Sequence, residues 1–212
     1  KKKPFFIVFE GVEGCGKSYQ SKKLYNNLKK KKISSILTRE PGGTRSAEMI
    51  RSLILKDYFN KNNKEKFDKY TDTLLYLAAR NEHVKNKIIP ALKQKKVVIC
   101  DRFVDSTLAY QVYGKKVSLN FINNIHKIIL NGLKPNITFL LKVSPTTSKL
   151  RLSKRKIKNR YDKFDQSFYN KVQKSFLKIA KNKMNYYVFD SSKNDKVLEN
   201  KIINIVLKHL IK

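Results

Sequence analysis

Five short apolar runs punctuate a chain that is otherwise polar and rich in lysine. Phe5-Phe6-Ile7-Val8-Phe9 stops at Glu10-Gly11. Its length and its aromatic and β-branched content predict a buried strand, since a helix would need a longer periodic segment. Ile33–Leu37, Val97–Cys100, Ile137–Val143 and Tyr186–Phe189 have the same character. Between them the apolar positions recur at helical spacing. Lys17–Lys32 carries Leu24 and Leu28, and further helices are predicted over Thr44–Leu55, Thr71–Leu92 with a break near Pro90, Leu119–Leu130, Gln166–Lys181 and Val197–Leu210. Ser144-Pro145 supplies an N-cap and a first helical residue. Strands that alternate with helices predict a five-stranded parallel sheet with helices on both faces, a three-layer α/β fold. We find no repeat and no separating linker, so residues 1–212 read as one domain, with 60–69 as an exposed polar connection.

Composition narrows the class. The 212 residues are 41% hydrophobic, too apolar for a disordered polycation. No run approaches the length of a membrane span, Lys1–Lys3 is followed by too short an apolar segment for a signal peptide, and two cysteines do not make a disulfide scaffold. A cytoplasmic protein with reduced Cys15 and Cys100 and no membrane partner is expected.

A net charge of +32 raises nucleic-acid binding. However, the cations are 40 Lys against 8 Arg and are spread over every segment, whereas a nucleic-acid stripe concentrates charge and uses Arg for base edges and phosphates. The charge therefore reads as background, with no specific nucleic acid as partner. Against that background each arginine marks a place where an ammonium does not suffice: Arg39, Arg45, Arg51, Arg80, Arg102, Arg151, Arg155 and Arg160.

The sharpest motif lies between the first strand and the first helix. Gly11-Val12-Glu13-Gly14-Cys15-Gly16-Lys17-Ser18 fits G-x-x-x-x-G-K-[ST] throughout. Glycines allow successive N–H groups to face phosphate oxygens, the helix adds its positive end, Lys17 reaches the β- and γ-phosphates, and Ser18 ligates Mg²⁺. Asp101, closing an all-apolar strand, is the second candidate Mg²⁺ ligand. These features predict a P-loop NTPase fold. They leave GTPase, motor ATPase and small-molecule kinase open.

Three further stretches carry a resemblance. They are Thr38-Arg39-Glu40-Pro41-Gly42-Gly43-Thr44, then Asp101-Arg102-Phe103 with Ser106 and Ala109-Tyr110-Gln111, and a basic segment with Arg151, Arg155 and Arg160. Together with the phosphate loop they closely resemble the thymidylate kinase family over nearly the whole chain. The resemblance implies phosphoryl transfer from ATP to dTMP with Mg²⁺, for dTTP synthesis and DNA replication, in a protein that is usually a homodimer. It also implies roles. Arg51 would bind the acceptor phosphate and Arg102 would bridge the two phosphates. Tyr76 would stack on thymine and Arg80 would hydrogen-bond it. Glu13 would lie near the sugar and Mg²⁺, and Ser106, Thr107, Tyr110 and Gln111 would line the nucleoside pocket. Residues 149–163 resemble the family's lid, with Arg151 against ATP and Arg155 and Arg160 as catalytic arginines. The loop residues Val12 to Cys15 include no base, which resembles the bacterial form of the family. Independently of that likeness, Arg39 and Glu40 follow the second strand at the ligand-binding edge of the sheet. The acceptor phosphate is already anionic, so His83, His126 and His209 are expected as surface or helix-face residues without a catalytic part.

Overall fold

A computed structural model describes residues 3–55, 66–154, 165–181, 183–193 and 195–211. The strands are β1 (Phe5–Glu10), β2 (Ser35–Arg39), β3 (Val97–Asp101), β4 (Ile137–Lys142) and β5 (Tyr186–Asp190), all parallel in the order β2-β3-β1-β4-β5. The helices are α1 (Lys17–Lys30), α2 (Arg45–Leu55), α3 (Lys69–His83), α4 (Ile89–Lys93), α5 (Val104–Thr107), α6 (Leu119–Leu130), α7 (Pro145–Ser153), α8 (Gln166–Ala180) and α9 (Lys196–Ile211). Two π-helical segments join this set, Val84–Ile88 between α3 and α4 and Leu108–Gly114 after α5.

Alternation along β1 builds the three layers. Phe5, Ile7 and Phe9 face one core with Leu24 and Leu28 of α1, Phe139, Phe176 of α8, and Ile202 and Val206 of α9. Phe6 and Val8 face the other, with Val98, Cys100, Val84, Ile88, Ala91 and Phe103. Every residue of β1 is buried, as a central parallel strand covered on both faces requires.

Two expectations need correction. The second strand lies two residues later than its apolar run, because Thr38 and Arg39 pair with Cys100 and Asp101 while the Ile33 N–H returns to the Leu28 carbonyl to close α1. Apolarity marks the middle of such a strand, and its end at the ligand edge is polar. Nor does the helix predicted over Thr71–Leu92 break near Pro90. It starts at Lys69, capped by the Asp68 side chain on the Tyr70 N–H, and runs on to Lys93. A proline deprives the carbonyl four residues back of its donor and crowds it. The π turn before Pro90, with the Ile89 N–H on the Val84 carbonyl, changes the ladder spacing there and the helix continues. The Ser144-Pro145 start of α7 is as read, with the Ser144 hydroxyl accepting from the Thr147 N–H. Residues 60–65 of the polar connection fall outside the described residues.

Candidate active site

The phosphate loop is shaped by backbone. Gly11, Gly14 and Gly16 all have positive φ, and Gly16 is the N-cap of α1. A Cβ on Gly11 would lie 2.3 Å from the Leu141 carbonyl oxygen, so this position admits no side chain without moving β4. Helix α7 braces the loop from behind: Ser148 Oγ donates to the Glu13 carbonyl at 2.8 Å and Arg151 donates to Gly14 at 3.1 Å. Arg151 also donates to the carbonyls of Ser191 and Ser192, at 2.9 and 2.6 Å, tying the loop to the segment after β5. The Lys17 ammonium lies along the loop, donating to the Val12 carbonyl at 2.8 Å, an acceptor that phosphate oxygens can replace. Ser18 Oγ donates to Asp101 Oδ2. A hydroxyl and a carboxylate in contact are two hard oxygen donors of the kind Mg²⁺ takes, so the residues fit that ion.

Arg102 follows Asp101 with φ +73, a left-handed backbone conformation. It donates to the Gly11 carbonyl at 3.0 Å, to Ser106 Oγ at 2.9 Å and to Glu13 Oε1 at 2.8 Å, and its guanidinium lies 5.3 Å from the centre of the Tyr110 ring. Burial works against its charge, but Glu13 and the other anionic groups around it outweigh that and raise its pKa. Beneath it sits Glu10, which accepts from the N–H groups of Phe103 and Ser106 at 2.8 and 3.2 Å and from the Ser106 hydroxyl at 2.6 Å. Burial, reinforced by Asp105, raises the Glu10 pKa to about 7, against the hydrogen bonds and Arg102, which lower it. The sequence reading took Glu10 only as the end of an apolar run. Its signal was available, since Glu10 closes β1 as Asp101 closes β3.

On the other side of Asp101 lies a second set of polar residues. Glu40 is buried and accepts from Arg80 Nε at 2.7 Å and from His83 Nδ1 at 3.1 Å. Burial alone would raise the Glu40 pKa, but Arg80 and His83 hold it below the ordinary value. Arg80 also donates to Thr107 Oγ1, His126 Nε2 and the Phe103 carbonyl, each at 2.8 Å. Gly43, at φ +96, packs where a Cβ would meet His83 and Thr38 at 2.6 Å. Arg51 donates to the Pro41 carbonyl at 2.6 Å, and burial with Arg39 nearby lowers its pKa. Arg39 pairs at the rim with Glu48 at 3.2 Å. Tyr76, one turn before Arg80, packs half-buried against the core cluster that contains Tyr110.

Most of the residues singled out from sequence thus converge on the carboxyl ends of β1, β2 and β3. Ser106 and Thr107 act through hydrogen bonds to Glu10, Arg102 and Arg80, and Gln111 is buried in the second π segment. Arg155 and Arg160 lie outside the described residues. His83 and His126 stand on helices as read, but both are buried in the polar network and neither is at the surface; only His209 is exposed.

A family model described as thymidylate kinase matches residues 9–202. A thymidylate kinase of Wolbachia pipientis wMel is 43% identical over 205 residues, covering 94% of this chain and 98% of its own. One from Aster yellows witches'-broom phytoplasma is also 43% identical, covering 97% and 96%. The chain belongs to the thymidylate kinase family. The crystal structure of thymidylate kinase from Ehrlichia chaffeensis superposes with a TM-score of 0.72 at 30% identity, over 96% of this chain and 99% of that one. The five-stranded parallel sheet is therefore the family's P-loop fold, and the reaction is transfer of a phosphoryl group from ATP to dTMP. The glycine loop is a motif common to many nucleotide-binding proteins. Among the described residues no helix is long and apolar enough to cross a membrane.

Proposed function

We propose that the ATP γ-phosphoryl passes in line to the dTMP 5′-phosphate across the gap between the glycine loop and the Arg80 network, with Arg102 between the two phosphates. The single observation that carries this reading is that Arg102 holds both sides at once, through the Gly11 carbonyl and Glu13 of the loop and through Ser106 of the nucleoside side. A guanidinium fixed there offers its fork to charge that spreads over the transferring group, an effect worth roughly 10³ to 10⁵ in rate where such arginines have been removed.

On the donor side, the N–H groups of Gly11 to Ser18 and the Lys17 ammonium take the ATP phosphates, and Lys17 exchanges the Val12 carbonyl for a phosphate oxygen. Ser18 and Asp101 hold Mg²⁺, which when bound neutralises phosphate charge. On the acceptor side, Arg51 takes the dTMP phosphate, Tyr76 stacks on the base, Arg80 donates to it, and Tyr110 with Gln111 closes the sugar end. Arg39, Glu40, Ser106 and Thr107 support these groups. Arg151, Arg155 and Arg160 belong to a lid near 149–163 that excludes water so that transfer outruns hydrolysis. No proton needs abstracting from the acceptor, so positioning and charge carry the rate.

The protein works as a cytoplasmic homodimer in this reading. Met49 and Leu53 on α2 and Tyr70 and Leu74 on α3 are 67%, 40%, 37% and 47% exposed, each pair four residues apart, on two helices that pack together. That apolar face suits a second copy of the chain. A coupled assay with ATP, Mg²⁺ and each nucleoside monophosphate tests the reaction: dTMP is the best acceptor by a wide margin, and a purine monophosphate preferred over dTMP overturns the reading. Light scattering after gel filtration reads the dimer.

A further inference from the structure

Arg80 is 3% exposed, and its fork is held from four directions. Nε donates to Glu40, which follows β2. Nη1 donates to both Thr107 and His126, and Nη2 donates to the Phe103 carbonyl. A guanidinium has five N–H groups in one plane, so these contacts leave a single N–H, on Nη2, whose direction the other four determine. Three of the partners come from the segments that follow β2 and β3. The fourth, His126, comes from α6.

The chemistry of the Arg80 to His126 contact is fixed by what arginine lacks. It has no acceptor, so His126 Nε2 must carry a lone pair, which puts the ring proton on Nδ1 and makes the ring neutral. Burial and the adjacent Arg80 charge agree, pushing the His126 pKa down to about 3. A protonated ring would present an N–H to an N–H and turn the fork.

Resting on the reading that Arg80 donates to the acceptor base, we infer that His126 is a positioning residue for pyrimidine choice: as a neutral acceptor on Nη1 it orients the fork so that the remaining N–H meets a carbonyl at the 4-position of the ring. Thymine offers an oxygen there. Cytosine offers an amino group, whose hydrogens leave the Arg80 N–H without an acceptor, and a site built around a hydrogen bond rejects a ligand that cannot complete it far more strongly than an apolar pocket rejects a misfit. His126 touches no substrate. It acts through Arg80.

Steady-state kinetics of His126→Phe, His126→Asn and His126→Gln test this, with dTMP and dCMP as acceptors. Phe keeps a ring and removes the acceptor, whereas Asn and Gln restore a carbonyl acceptor. The expected result for His126→Phe is a KM for dTMP raised about tenfold or more and a dTMP over dCMP preference reduced by at least as much. The KM for ATP stays within about twofold, and Asn or Gln recovers most of the preference. An unchanged dTMP preference in His126→Phe, or equal losses against both substrates with no recovery by Asn or Gln, overturns the proposal. Arg80→Lys is the control for the reading beneath it. If Lys keeps the preference, the base contact of Arg80 is wrong. If Lys loses the preference and His126→Phe keeps it, only the role of His126 is wrong. Should His126→Phe fail to fold, histidine ¹⁵N spectra of the unaltered protein, assigned with His126→Asn, decide: the neutral Nδ1–H tautomer at pH 6 is expected, and an Nε2–H or protonated ring overturns the assignment.

Discussion

The two halves of this site are built by opposite means. In the reading proposed above, the donor half is backbone: eight contiguous residues, glycines at positive φ and a helix end, braced from behind by Ser148 and Arg151. The acceptor half, in the same reading, is side chains: Glu40 follows β2, and Arg80, His83, Thr107 and His126 come from three helices to make one buried network. A phosphate is the same in every nucleotide and is suited by repeated N–H groups. A base must be told from other bases, which takes side-chain donors and acceptors fixed in direction. The donor half should therefore fail through shape, and the acceptor half through unpaired polar groups.

Arg102 belongs to both halves, and its loss has the largest expected effect on activity. Arg102→Ala should lower kcat about 10³-fold or more under saturating ATP and dTMP, with Arg102→Lys recovering only a small part, because an ammonium cannot span Gly11, Glu13 and Ser106 together. A drop of less than about tenfold in single-turnover measurements would remove Arg102 from the transferring group.

For stability the acceptor half is the more exposed to damage. Glu40→Ala leaves Arg80 and His83 buried without their shared carboxylate, and breaking a buried pair in this way costs about 3–5 kcal/mol. Urea denaturation reads it. In the donor half the matching change is Gly11→Ala, where φ +138 and a Cβ 2.3 Å from Leu141 force the loop or β4 to shift. A loss of about 1–3 kcal/mol is expected with a large rise in the KM for ATP and little change in the preference among acceptors. A Gly11→Ala protein that confuses pyrimidines, or a Glu40→Ala protein of unaltered stability, would break the distinction between the halves.

The same contrast explains what could be read from sequence. The phosphate loop is local, so its motif is contained in eight consecutive residues, and the strands were legible from their apolar middles, although β2 runs on into the polar Thr38 and Arg39. The Tyr76 to Arg80 spacing correctly put two groups on one helix face. His126 was out of reach, because its partner is 46 residues away and a histidine on an amphipathic helix has the same pattern whether it meets water or a guanidinium. Glu10 could be placed at the end of β1 but not in its network, because its partners Phe103 and Ser106 lie 93 and 96 residues on. The second π segment, Leu108–Gly114, left no trace in the apolar periodicity.

Glu10 joins the halves from below and gives a pH prediction. Its folded pKa, about 7, lies above the ordinary value of 4.5, so the folded protein holds a proton that the unfolded chain has released. The stability this contributes is complete below pH 4.5 and is lost as pH rises through 7. Subtracting the Glu10→Gln stability profile from that of the unaltered protein should leave a difference that falls between pH 5 and pH 8. A flat difference would show that Glu10 does not titrate there, and that its hydrogen bonds to Phe103 and Ser106 hold it ionised.

The smallest effect expected concerns the two thiols, one in the phosphate loop and one in β3. Cys15 lies inside the phosphate loop, where a helix N-terminus and Lys17 would ordinarily favour thiolate. Burial dominates and raises its pKa in spite of Lys17 and Arg102; Cys100 is raised further, by burial and by Glu40. Neither side chain is open to solvent. A thiol reagent such as dithionitrobenzoate should thus release almost no chromophore from the folded protein at pH 8 and two equivalents after denaturation, one per cysteine. Rapid labelling of Cys15 without unfolding would mean that the loop opens on its own, and the donor half would then be less firmly preset than its glycine geometry implies.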